Sequence, residues 1–274
     1  MTARVLRLTK HHGLGNDFLV LLDLDDCLVG PGRPVPDTAA LAVRVCDRRR
    51  GVGADGLLVA THGTQGSDVT MELRNADGTR AEMSGNGIRC LAQAVWDVDA
   101  GSETLRVSTD AGLRVVRRID APRPGFVRAC VDMGRVSVVG DAPRFVGGTV
   151  EAAAFVDAGN PHLVLLDAAV DTVPVADDGP RLEAAFPDGI NIEWVWPGPG
   201  PGEVTLRVWE RGAGQTEACG TGSCAAVAAL ASWGRVGRRA VVHNPGGDVT
   251  VELGDTALLT GPSARIAAVE LPWP

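Results

Sequence analysis

Lysine occurs once in this chain, at Lys10. A pyridoxal phosphate enzyme needs a lysine for its Schiff base, and the single candidate closes a short apolar N-terminal segment, which argues against that chemistry. A phosphate-binding P-loop needs Gly-Lys-Ser/Thr, and that triplet is absent. No apolar run approaches the ~18 residues of a membrane span. The opening stretch MTARVLRLTK lacks the apolar centre of a secretory signal. A cytoplasmic protein with no membrane partner is therefore expected. Six cysteines (27, 46, 90, 130, 219, 224) are too few and too irregular for a disulfide framework, so buried free thiols are expected, with one reactive among them. None forms a Cys-x-x-Cys pair, and the five histidines (11, 12, 62, 162, 243) show no ligand spacing, so no metal is expected. A formal net charge of −8 argues against nucleic acid as a partner. The arginine clusters Arg48-Arg49-Arg50 and Arg235-Arg238-Arg239 read as solvated faces.

What is present is a repeat. The 274 residues suffice for one large domain or for two of about 130 each. Residues 15–23 (GNDFLVLLD) match residues 159–167 (GNPHLVLLD) at an offset of 144. Asp55-Gly56 matches Asp188-Gly189 at 133, and Ser84-Gly85 matches Cys219-Gly220 at 135. Three landmarks in the same order point to a pseudo-symmetric pair of domains; two copies are too few for a solenoid.

Each half supports the same reading. DFLVLLD and HLVLLD are short apolar runs, hence buried strands. DTAALAVRVCDRR (37–49) opens with a capping residue and predicts a helix, with a shorter counterpart at 180–186. DVTMELRN and EVTLRVWE alternate polar and apolar residues as half-buried strands do. After each comes a Gly-rich turn, AEMSGNG (81–87) or TEACGTG (216–222), and then a helix apolar nearly all round, Gly87 to Trp96 or Gly222 to Trp233. A helix with no polar face belongs inside the protein. Beyond residue 235, AVVHN, DVTVEL and ARIAAVEL read as strands, the last returning to the first domain. The expected architecture is α+β: two pseudo-symmetric domains, each a curved, barrel-like mixed sheet around a central buried helix, with the active site in the cleft between them. The boundary is expected near 120–130, where DAPRPG (120–125) concentrates breakers, giving domains 1–125 (with about 264–274 returning) and 126–263.

A buried helix start presents unpaired N–H groups and the positive end of the macrodipole, which suits a carboxylate or phosphate. Glycines at 85, 87, 220 and 222 allow close approach to the backbone. If the anion is an amino acid's α-carboxylate, Ser84 and Cys219 flank its Cα from opposite sides. One removes a proton while the other delivers one, inverting the centre; the helix ends stabilise charge spreading onto the carboxylate. A thiol suits this work because its pKa, about 8.5, falls at a helix N-terminus. Taken singly, Ser84 is an ordinary N-cap, Cys219 a core thiol and His162 a structural histidine; the repeated context is what raises all three. GTGSCA (220–225) also fits a dinucleotide fingerprint, but no Asp or Glu occurs between Glu217 and Asp248, leaving only Arg238 and Arg239 for an NADP phosphate.

Seven motifs then carry a family resemblance: HGLGNDF (12–18), RRGVGADGLL (49–58), RNADG (74–78), GNGIRC (85–90), GNPH (159–162), GINIE (189–193) and ERGAGQTEACGTGSCAA (210–226). Together they run essentially end to end, and the chain resembles the diaminopimelate epimerase family. That resemblance implies a cofactor-independent isomerase that interconverts LL- and meso-diaminopimelate for lysine and peptidoglycan synthesis, and a homodimer. By position, Cys219 matches one of two catalytic cysteines. Gly85 and Asn86, with Gly220 and Thr221, match the backbone cradle of the reacting carboxylate. His162 and Glu210 match the side chains that hold the reacting end and its ammonium group. Asn16, Asn75, Asn160, Asn191 and Arg211 match the positions that read the distal end, where a zwitterion calls for amides and a guanidinium.

Ser84 is the departure, standing where the family has its other catalytic cysteine. Cys90 matches a non-catalytic cysteine and is no substitute. Three readings stay open: an epimerase whose serine is activated by His162 or another neighbour; a related racemase, isomerase or dehydratase with one-thiol chemistry; or a Cys-to-Ser form that binds diaminopimelate without turnover.

Overall fold

A computed structural model describes residues 4–24, 37–64 and 66–273; Cys27 lies outside them. The chain divides into two compact units, Met1–Val131 with Pro262–Pro274, and Asp132–Gly261. The units divide between Val131 and Asp132, at the edge of the expected 120–130 region and just past DAPRPG. Pro122, Pro124 and Gly125 form a hairpin, with Arg123 opposite Phe126 and Gly125 at φ 72°. Proline is tolerated there because the ladder is already interrupted by register shifts.

The first unit contains β1 (Arg4–Gly13), β2 (Asn16–Asp23), α1 (Thr38–Cys46), β3 (Gly56–His62), β4 (Val69–Asn75), β5 (Arg80–Ala81), α2 (Gly85–Val98), β6 (Thr104–Thr109), β7 (Gly112–Arg123) and β8 (Phe126–Asp132). The second contains β9 (Ser137–Asp141), β10 (Val150–Asp157), β11 (Pro161–Asp167), α3 (Val175–Glu183), β12 (Asn191–Pro197), β13 (Glu203–Glu210), β14 (Gly214–Gln215), α4 (Gly220–Ser232), β15 (Arg239–Asn244) and β16 (Gly247–Leu253). The last strand, β17 (Ala257–Trp273), pairs with β16 at its start and with β1 over its second half, so the C-terminus does return to the first unit. Helix α3 begins before the expected 180–186 segment and carries Pro180 inside it; Asp177 and Asp178 occupy its first turn, where negative charge suits the dipole.

In the first unit the pairings β17–β1–β2–β3–β4–β6–β7–β8–β17 return to their start, making a closed mixed barrel. In the second, β9–β10–β11–β12–β13–β15–β16–β17 follow in one order, with β11–β12 and β13–β15 parallel. Strands β2, β3, β11 and β12 are apolar at successive positions because both faces are covered. In the first unit Leu19, Leu21, Leu57 and Val59 pack outward against Leu41 and Val45 of α1. The alternate residues face the central helix.

Residues 85–96 of α2 and most of α4 are buried, as their composition requires. Alanine and glycine dominate α4, which lets a helix fit within a ring of strands. Two residues of α2 depart from the expected apolar surface. Arg89 is fully buried and donates to the carbonyls of Gly85 and Pro262 and to Asn86 Oδ1. Gln93 accepts from Ser263 and faces His11. Among the described residues no helix is long and apolar enough to cross a membrane.

Register refines the repeat. Phe18 stands opposite Gly56, as His162 stands opposite Asn191. Leu58 pairs with Leu73, as Glu193 pairs with Val208. The β3–β4 and β12–β13 pairs are therefore related at 135, the offset of the twin turns, and the Asp-Gly match at 133 is displaced by two residues. With this alignment His162 takes the place of Phe18, and Glu193 that of Leu58.

Candidate active site

Both twin turns end in a capped helix. Ser84 and Cys219 are the N-caps of α2 and α4, with nearly the same extended backbone (φ −135°, ψ 124° and φ −119°, ψ 123°). Ser84 Oγ accepts the N–H of Gly87 at 3.0 Å, and Cys219 Sγ that of Gly222 at 3.3 Å. The side chain three residues before each third-position glycine thus satisfies one orphan donor of the first turn. The reactive atoms are held in equivalent places by the same device.

Their surroundings differ. Behind Gly87 lies Leu58; behind Gly222 lies Glu193, whose Oε1 is 2.7 Å from where a β-carbon would sit. His162 and Glu193 are both fully buried, with Nδ1 and Oε1 2.7 Å apart. The other ring nitrogen, Nε2, faces Asn160 Oδ1 at 2.8 Å. Both nitrogens of His162 are thereby engaged within its own unit, which removes the expectation that it activates Ser84. Glu210, at the end of β13, accepts from Thr216 Oγ1 at 2.5 Å and lies close enough to Cys219 for its charge to act on the thiol. Burial raises the pKa of this carboxyl against the lowering influence of Thr216 and Cys219.

Cys219 itself corrects the expectation of an acidified thiol. It is only 4 % exposed. Burial, then the charges of Glu210 and Glu193, hold its pKa well above the ordinary thiol value, against the opposing bonds from Thr221 and the Gly222 N–H. The half-charge of a helix start is outweighed by desolvation and two nearby carboxylates. Cys90, wholly buried in α2, is raised to about 11, mainly by burial.

The amides fall into two groups. In the first unit Asn86 donates to Asn16 at 3.4 Å, and Asn16 donates to Asp55 at 2.8 Å. Asp55 belongs to a network the sequence did not reveal. Arg48 bonds both Asp55 and Asp17, and Lys10 pairs with Asp17 at 2.9 Å. The lone lysine and the first arginine of the 48–50 cluster are thus tied into an ion-pair network, with Arg48 still half exposed. Asn75 is exposed and bonds Thr79. In the second unit Asn191 donates to the Pro161 carbonyl and accepts from the Arg211 N–H, fixing the start of the Arg211 loop. Arg238 and Arg239 are engaged by the Leu253 and Gly254 carbonyls and by Glu252. That arrangement, and a carboxylate against Gly222, leave the α4 start ill suited to a dinucleotide phosphate. No cluster of three or more metal-ligating side chains occurs among the described residues.

These motifs coincide with a family model. The model for diaminopimelate epimerase matches residues 8–139 and 154–265. The chain belongs to the diaminopimelate epimerase family. It is 39 % identical to the diaminopimelate epimerase of Pelotomaculum thermopropionicum, covering 98 % of this chain and 99 % of that protein. It is 38 % identical to the one from Synechococcus elongatus, covering 95 % and 96 %. Solved structures share the fold at low identity. A hydroxyproline epimerase from Agrobacterium vitis aligns with TM-score 0.75 at 17 % identity, covering 98 % of this chain and 92 % of that one. A PhzF-family phenazine biosynthesis protein from Bacillus anthracis aligns with TM-score 0.70 at 12 % identity, covering 98 % and 99 %. Family membership carries the isomerase class with it.

Three residues were missed by sequence reasoning. Glu193 is the clearest, and its signal was a single acidic residue inside the otherwise apolar run NIEWVW. Thr216 and Arg89 sit within quoted motifs, but nothing in the pattern shows that one bonds Glu210 and the other Asn86.

Proposed function

We propose that the two capped helix starts serve one amino acid, diaminopimelate, and interconvert its LL and meso forms at one α-carbon. The α-carboxylate takes the N–H groups of Gly85 and Asn86 and of Gly220 and Thr221. Cys219 and Ser84 exchange protons with Cα from opposite faces. His162 and Glu210 hold the reacting end and its ammonium group. Asn16, Asn75, Asn160, Asn191 and Arg211 read the distal zwitterion. The observation that carries this reading is a buried thiol capping a buried helix, with the carboxylates of Glu210 and Glu193 beside it and a hydroxyl in the twin position.

The electrostatics of Cys219 support an amino acid over a neutral ligand. Burial and the charges of Glu210 and Glu193 hold back its ionisation, and an arriving ammonium group offsets the field of the carboxylates. The thiol thus becomes a better base when substrate is present. Developing carbanion charge passes onto a carboxylate held by helix N–H groups, which stabilise it selectively. Ser84 serves best as the proton donor, since a hydroxyl titrates far above a thiol.

The family also motivates the remaining assignments: a cytoplasmic homodimer in lysine and peptidoglycan precursor synthesis, working without a cofactor. The test is direct. LL-diaminopimelate incubated in D₂O should give meso product carrying deuterium at Cα, and Cys219→Ala should abolish exchange. Wild-type exchange in that variant would refute the role of Cys219.

A further inference from the structure

The carboxylate of Glu193 has no part in the proton transfers above. It is fully buried, Oε1 lies 2.7 Å from His162 Nδ1, and Oε2 has no hydrogen-bond partner. An unpartnered buried carboxylate oxygen costs free energy, and the aligned position in the first unit avoids that cost with Leu58. The same strand position is thus apolar behind the hydroxyl and anionic behind the thiol.

We infer that Glu193 is a positioning residue that fixes the His162 ring and keeps Cys219 in its hydrogen-bearing form until a cationic ligand arrives. The groups acting on the sulfur are Glu210 from β13, Glu193 from β12, and Thr221 and the Gly222 N–H from α4. His162 of β11 stands beside Glu193. Both carboxylates act on the sulfur through their fields; Glu210 is held by Thr216, whereas Glu193 is held by His162. A β-carbon on Gly222 would strike Glu193 Oε1, so the carboxylate is packed directly against the first turn that Cys219 caps. This oxygen opposes the helix dipole at the point where an isolated thiol would be acidified. The sequence Asn160–His162–Glu193 also orders the ring by an acceptor on each side, as an orienting carboxylate does for other histidines.

The inference rests on the epimerase reading for its purpose, but its test does not. ¹³Cβ-cysteine NMR of the whole chain follows the Cys219 titration, with the signal assigned from Cys219→Ala. Glu193→Gln keeps the size and the acceptor for His162 while removing the charge, and should move the Cys219 midpoint to lower pH. Glu193→Asp restores the charge and should return it toward the wild-type value. In turnover, Glu193→Gln should lower kcat by about tenfold or more with little change in KM, because the effect lies on the reacting group and not on ground-state binding. An unchanged Cys219 titration in folded Glu193→Gln would overturn the inference and leave the epimerase reading intact. Absence of Cα exchange in the wild type, with the NMR shift present, would instead strike the epimerase reading alone. If Glu193→Gln does not fold, a wild-type Cys219 midpoint at or below the ordinary thiol range would overturn the inference, and one well above it would support it.

Discussion

Replacing Ser84 by cysteine should convert a one-thiol site into a two-thiol site, and the fold shows that sulfur fits. Ser84 and Cys219 have matching backbone, and the capping bond is only about 0.3 Å longer for sulfur at the twin position. A β-carbon placed on Gly87 would stand 3.3 Å from Ser84 Oγ, as one on Gly222 would stand 3.3 Å from Cys219 Sγ. No repacking is demanded, so stability should change by less than about 0.5 kcal/mol. The chemical gap is large. A hydroxyl titrates on the order of five pKa units above a thiol, about 7 kcal/mol for holding the anion, or roughly five decades in rate. That figure is the ceiling. LL-to-meso and meso-to-LL conversion pass through the same transition states, so the gain in kcat/KM must be the same in both directions. The assay is the rate of conversion in D₂O from either isomer, read by chiral chromatography and by deuterium at Cα. Ser84→Cys should gain several decades in kcat/KM. A gain of less than tenfold would refute the idea that oxygen at position 84 limits the reaction.

Three further outcomes follow from the geometry. Gly222→Ala drives a β-carbon to 2.7 Å from Glu193 Oε1, whereas Gly87→Ala meets nothing closer than 3.1 Å; the first should cost about 1–3 kcal/mol in urea denaturation and most activity, and the second much less of both. Glu210 keeps its proton to higher pH when folded than when unfolded, so its contribution is fully present below the ordinary value of 4.5 and is lost as pH rises through the raised one. Glu210→Gln should therefore melt about 2 °C or more above the wild type at pH 8 and level with it at pH 4, while Cα exchange falls by about two decades or more. Asp17 is the opposite case: burial would raise its pKa, but bonds from Arg48 and Lys10 outweigh burial and hold it low. Its stabilisation is present above the ordinary value of 3.8 and is lost as pH falls through the depressed one, and Asp17→Asn should remove about 2 kcal/mol at neutral pH, discounted because Arg48 is half exposed. Equal acid limbs in the two denaturation profiles would contradict this.

Local chemistry in the sequence determined a good deal. The period-2 strands, the apolar helices and the Gly-x-Gly turns each obey short-range rules, so both central helices and their caps were legible residue by residue. The repeat was legible because two copies of one plan keep the same capping devices. Tertiary structure decided the rest. Breakers at 120–125 read as a boundary, but only strand pairing shows that they turn a hairpin. A thiol at a helix start reads as acidic, because a cap is visible in sequence whereas burial and two carboxylates from separate strands are not. Glu193 meets His162 across 31 residues, through a parallel pairing that no local pattern announces. The sequence by itself determined where each capping atom sits on its helix. Which of the two atoms stands in an anionic field, and which against leucine, was decided by strand register, because register alone selects the residue that faces the first turn.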